Sequence, residues 1–107
     1  HVFNRAAEAH APLNLAKLRI KQQRYDDART LLTTCLKLCE TFNARAAAAA
    51  ALHELGRVAW FEGLSDQAYS CAEKSLQLYQ AIGAIASEQK VRVFISLLSR
   101  STPPKLG

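Results

Sequence analysis

The chain repeats itself at an interval of 40 residues. LNLAKLRIKQQRYDDARTLLTTCLKL (13–38) lies without a gap on HELGRVAWFEGLSDQAYSCAEKSLQL (53–78). Leu15 then falls on Leu55, Ala16 on Gly56, Asp26 on Asp66, Ala28 on Ala68, Leu36 on Leu76 and Leu38 on Leu78. A third unit begins after Ile82-Gly83 and puts Ile95 and Ser96 the same step beyond Leu55 and Gly56. Self-similarity at one fixed period marks a chain built by stacking supersecondary units, each too small to bury its own apolar face.

Each unit reads as helical. Strand signals are nearly absent, and Ala, Leu, Gln, Lys, Arg and Glu dominate. In 25–42, Ala28, Leu31, Leu32, Cys35, Leu36 and Cys39 recur at helical spacing, with Asp26 and Asp27 where a helix start favours negative charge. In 65–82, Ala68, Cys71, Ala72, Ser75, Leu76 and Tyr79 do the same, with Ser65 as expected N-cap and Asp66 in the first turn. The six alanines Ala46–Ala51 fall in the first helix of the second unit, and the segments from Phe3, Phe42 and Ile82 keep register there. The run therefore reads as a helix that a neighbour approaches closely, not as low-complexity filler. Asn43 is its expected N-cap, as Asn4 is for the first copy. Five antiparallel helices are predicted, at roughly 4–22, 25–42, 44–62, 65–82 and 84–100. Pro12 should kink the first or start it late, and STPPKLG (101–107) cannot continue the last. The domain spans 1–100, as repeats at about 4–42 and 43–82 with a closing helix at 84–100, followed by a proline-containing tail at 101–107.

Leu55-Gly56, Gly63 in the turn and Ala68 early in the next helix, echoed by Leu15-Ala16, Tyr25 and Ala28, make the pattern resemble the tetratricopeptide repeat. The 40-residue interval resembles its longer variety. The resemblance covers about 4–100 and implies an all-α, right-handed helix-pair solenoid acting as a protein-interaction module. Departures are plain: Gln23 and Ser65 replace the usual turn Gly and Tyr, Cys35 and Ser75 a usual Ala, and no Pro ends either repeat. The chaperone-tail binders of the family hold a carboxylate with Lys, Asn and Arg at positions that here are Leu13, Lys17, Glu54, Lys90 and Phe94. Only Lys90 matches, so that ligand is not expected.

Catalysis and cofactors are not expected. No Gly-rich phosphate loop exists, Glu54 and Glu62 lie too far apart along one helix to pair as acids, and Glu8 and His10 flank no nucleophile. Three cysteines without framework spacing favour a reducing, intracellular, cytoplasmic setting. Cys35 and Cys39 share a helix face, and packing is favoured over a metal or redox pair with Cys71 or His53, so no metal is expected. No 18-residue apolar run supports a membrane span. A chain starting at His1 is expected to be a piece of something longer.

The partner-binding expectation rests on the first helices of the repeats, which the resemblance places on the concave side. Leu13, Asn14, Lys17 and Lys21 form a stripe whose equivalents are His53, Glu54, Arg57 and Phe61, with Trp60 beside them. On the last helix the stripe is Val93, Phe94, Leu97 and Ser101, with Lys90 nearby. Lys17 and Arg57 share a repeat slot, and Leu97 interrupts the basic row. One reading is a solvated helix face. The other is a groove of Asn14, Lys17, Lys21, His53, Arg57, Trp60, Phe61 and Lys90 that takes an acidic protein or peptide with an apolar anchor. Trp60 fits interface anchoring or, preferably, packing between repeats. The net charge of +5 favours acidic partners, but scattered basic residues do not repeat as a base-reading code, which disfavours nucleic acid. The alternative role is a regulatory or multimerisation segment of a signal-transduction or transcription regulator. Apolar surface on the end helices would suit self-association or further repeats.

Overall fold

The computed structural model describes residues 9–100. They form five helices: α1 (His10–Lys21), α2 (Tyr25–Phe42), α3 (Arg45–Phe61), α4 (Ser65–Ile82) and α5 (Ile85–Arg100). Among the described residues there is no strand. Each helix packs on the next, and α1 also touches α3. The result is a solenoid with α1, α3 and α5 in one layer and α2 and α4 in the other. The expected ranges for α2 and α4 match to the residue. Residues 4–8 of the first expected helix, with Asn4, and the tail at 101–107 lie outside the described residues. Pro12 occupies the first turn of α1, where its missing N–H removes no helical bond.

The backbone repeats twice as often as the sequence does. Helices α2 to α5 start at Tyr25, Arg45, Ser65 and Ile85, a step of 20 residues. Before each start the chain makes the same turn. Arg24 N–H donates to Arg19 O at 2.8 Å, Ala44 to Cys39 at 2.9 Å, Leu64 to Ala59 at 2.8 Å and Ala84 to Tyr79 at 3.0 Å. This six-residue closure ends a helix through one left-handed residue. Those residues are Gln23 (φ 61°), Asn43 (φ 53°), Gly63 (φ 80°) and Gly83 (φ 71°). The slot is why glycine appears at 63 and 83: no Cβ, no penalty at positive φ.

This turn corrects two expected caps. Asn43 is the left-handed C-cap of α2, not the N-cap of α3, whose N-cap is Ala44 with no side-chain bond. Asn tolerates left-handed geometry better than most residues, and here the turn uses that property. Ser65 is the first residue of α4, and Leu64 is the N-cap. The preceding carbonyls open the helices instead, as where Ala68 N–H donates to Leu64 O at 3.0 Å.

Two cores result. The first gathers Leu13, Ala16 and Ile20 of α1, Ala28, Leu32, Cys35 and Cys39 of α2, and Ala47, Ala51 and Val58 of α3. The second gathers Ala49, Ala72, Tyr79, Val91 and Phe94, with Trp60 against it. The alanine run serves both, since Ala47 and Ala51 face one core and Ala49 the other. Small residues on two faces let α2 and α4 close in on α3 together. A Cβ on Gly56 would lie 3.1 Å from the Phe94 ring and 3.2 Å from the Ala68 carbonyl, so α4 and α5 already press against it. At the first crossing the slot holds Ala16, and Ala28 and Ala68 are both fully buried. Arg29 of α2 forms an ion pair with Glu62 at the end of α3 and ties the first pair to the second.

Candidate functional site

Helices α1, α3 and α5 enclose a cleft of about 230 Å³. Its lining is Lys17 from α1, Ala50, His53 and Glu54 from α3, Tyr79 from α4, and Ser87 and Lys90 from α5. Three side chains of the expected groove, Lys17, His53 and Lys90, therefore meet in one place although 73 residues separate the first from the last. Stacking makes this possible: one solenoid step brings residues 40 apart in sequence side by side.

Glu54 is the acidic residue of the cleft and is buried. It accepts a hydrogen bond from Arg57 Nη1 at 2.8 Å, so Arg57 satisfies a buried carboxylate within its own helix. Lys17 and Lys90 are exposed. Burial holds His53 below its ordinary range. Glu54 opposes that shift, and Arg57, Lys17 and Lys90 add to it. The imidazole is therefore neutral at pH 7 and can donate one N–H. Its ring lies 5.4 Å from that of Phe94. Burial likewise pushes the Tyr79 phenol up, against a hydrogen bond with Ser87. Two ammonium groups, a neutral imidazole, two hydroxyls and the Arg57-paired carboxylate of Glu54 surround a small opening.

The remaining groove residues sit elsewhere. Asn14 and Lys21 are exposed on α1. Phe61 stacks on Tyr25 with centroids 5.6 Å apart and packs against the first core. Trp60 meets the edge of Phe94 at 6.1 Å, and its buried Nε1 has no hydrogen-bond partner among the described residues. Ala50, Glu54, Tyr79 and Ser87 were not among the expected groove residues. Ala50 and Ser87 are small and carry no charge signal, and Tyr79 belongs to a second helix.

The thiols are structural in their geometry. Cys35 Sγ donates to the Ala9 carbonyl at 3.2 Å and lies 3.9 Å from Cys39 Sγ. Burial, with Cys39 adding to it, pushes the Cys35 thiol up to about 12. Among the described residues no three His, Cys, Asp or Glu side chains are placed to share a metal ion, and no helix is long and apolar enough to cross a membrane.

A family model for the tetratricopeptide repeat matches residues 7–82. No curated protein and no solved structure matches the chain.

Proposed function

Because the chain belongs to the tetratricopeptide repeat family, whose general role is to bind protein partners, we propose that its concave face takes an acidic segment of a partner protein. The observation that carries this reading is the convergence of Lys17, His53 and Lys90 from three successive first helices on one cleft. With Glu54 counted, Lys17, Arg57 and Lys90 leave the site cationic. A carboxylate entering between Lys17 and Lys90 gains attraction from both, and His53 can add a hydrogen bond. The setting proposed is intracellular, in keeping with three free thiols.

The test is fluorescence anisotropy with a capped peptide rich in Asp and Glu and carrying one Leu. Lys17→Glu/Lys90→Glu should weaken binding, mainly by slowing association, and the loss should shrink in high salt. Arg57 is spared because its loss would strand buried Glu54. Unchanged affinity at low salt in the folded double variant would remove the concave face from the account.

Self-association is the second reading. Leu15 and Leu18 on α1 are 39% and 47% exposed, whereas Val58, which shares the slot of Leu18, is fully buried in the first core beside α2. An apolar slot left uncovered on α1 suits a second copy, and a dimeric sedimentation mass lost in Leu18→Ser would support it.

A further inference from the structure

The outward side of α5 is mostly polar, yet its groove side is not. In α3, Ala49 and Gly56 are buried and Leu52 partly so, and the Gly56 slot lies against Ala68 of α4. The same slots in α5 hold Gln89, Arg92 and Ser96. Ile85, in the first turn, is the apolar exception on this side. Arg92 bonds Glu88 along its own helix at 2.9 Å. Such a face gives a further helix little to pack on in the way α4 packs on α3.

Val93 and Leu97 are different. They are 61% and 44% exposed. Leu97 shares the slot of Lys17 and Arg57, and Val93 that of His53. Both follow Lys90 on its own side of α5, three and seven residues on. They form an apolar ledge beside the cationic cleft.

Resting on the groove reading above, we infer that this site selects an extended acidic segment in which a large aliphatic side chain follows or precedes the acid by about three residues. The acid occupies the Lys17–His53–Lys90 cleft and the aliphatic group lies on Val93 and Leu97. The rise along α5 sets the spacing. Seven residues along α5 from Lys90 to Leu97 is roughly 10 Å at the helical rise. An extended chain covers that distance in about three residues. The apolar anchor is thus on α5, while Trp60 and Phe61 are committed to packing against Phe94 and Tyr25.

The experiment uses capped, fluorescently labelled peptides with two adjacent aspartates and one leucine, separated by zero to five glycines, and a matching set in which glycine replaces the leucine. Affinity should peak at a separation of two or three positions, about tenfold above the leucine-free peptide. Val93→Ser/Leu97→Ser should erase that gain and leave the leucine-free peptide unchanged. Both side chains are exposed, and an unchanged thermal melt checks the fold. If the peptides bind through Lys17 and Lys90 but ignore the position of the leucine, the ledge inference fails and the groove reading stands. If no peptide responds to Lys17→Glu/Lys90→Glu, both fail. If Val93→Ser/Leu97→Ser instead turns a dimer into a monomer, the ledge belongs to a second copy and the inference is overturned.

Discussion

The buried face of α2 runs Ala28, Leu32, Cys35, Cys39; that of α4, one repeat later, runs Ala68, Ala72, Ser75, Tyr79. The burial pattern is the same and the side chains are not. Bulk sits mid-helix in the first pair, at Leu32, and near the helix end in the second, at Tyr79. Even the polar member keeps its role. Cys35 donates to the Ala9 carbonyl, and Ser75 donates to the Ala49 carbonyl at 2.6 Å, the same pairing moved by one repeat. Helix crossing decides which positions are buried, and local free volume decides what fills them.

The largest test of that distinction exchanges the mid-helix slot. Leu32→Ala should cost about 2–5 kcal/mol, since a fully buried side chain leaves a cavity. Ala72→Leu, which copies the first pair into the second, should cost about 1–3 kcal/mol by overpacking. Urea unfolding measures both. A neutral or stabilising Ala72→Leu would show that the two cores have the same free volume.

The turn slot is the next comparison. Gln23 adopts the left-handed geometry that Gly63 and Gly83 adopt without penalty. Gly63→Gln should destabilise by about 1–2 kcal/mol. Gln23→Gly should stabilise by about 0.5–1 kcal/mol, because relief of strain outweighs the looser unfolded chain. A lower melting temperature for Gln23→Gly would break the equivalence of the turns. A smaller effect is expected from Cys35→Ser, which installs the donor of the second pair in the first. It should change stability by less than about 1 kcal/mol in a urea titration.

The subtlest difference separates His53 from Leu13 in the equivalent slot, because only the second copy titrates. Folding holds His53 below 6.5. The unfolded chain therefore takes up a proton below that pH that the native state refuses, so stability falls as pH drops. A bound carboxylate reverses the preference, so affinity for acidic peptides should rise over the same range. His53→Gln should flatten both profiles, measured by thermal melts and anisotropy between pH 7.5 and 5.

Much of this was legible. Apolar spacing located α2 and α4 because their buried positions follow one face. The 40-residue step put Lys17 and Arg57 in one row. The pairing of Arg57 with Glu54 was not legible, because a charge three residues away on a helix is equally consistent with solvent. Asn43 was read as an N-cap because Asn suits both ends of a helix, and only the backbone path distinguishes them. The 20-residue rhythm of the turns was hidden because four different contexts, Gln23, Asn43, Gly63 and Gly83, share a dihedral angle and not a side chain. The spacing of Asn43, Gly63 and Gly83 was the available signal.

The amino-acid sequence by itself determined a stack of helix pairs: period, helical faces and small residues at crossings are local properties that each unit carries. Tertiary structure decided which charges remain available. Burial of Glu54 claims Arg57, stacking brings Lys17 to Lys90 across His53, and the polar outer side of α5 leaves Val93 and Leu97 as its apolar step beside the groove. Those outcomes depend on distances between residues far apart in the chain, which no local pattern encodes.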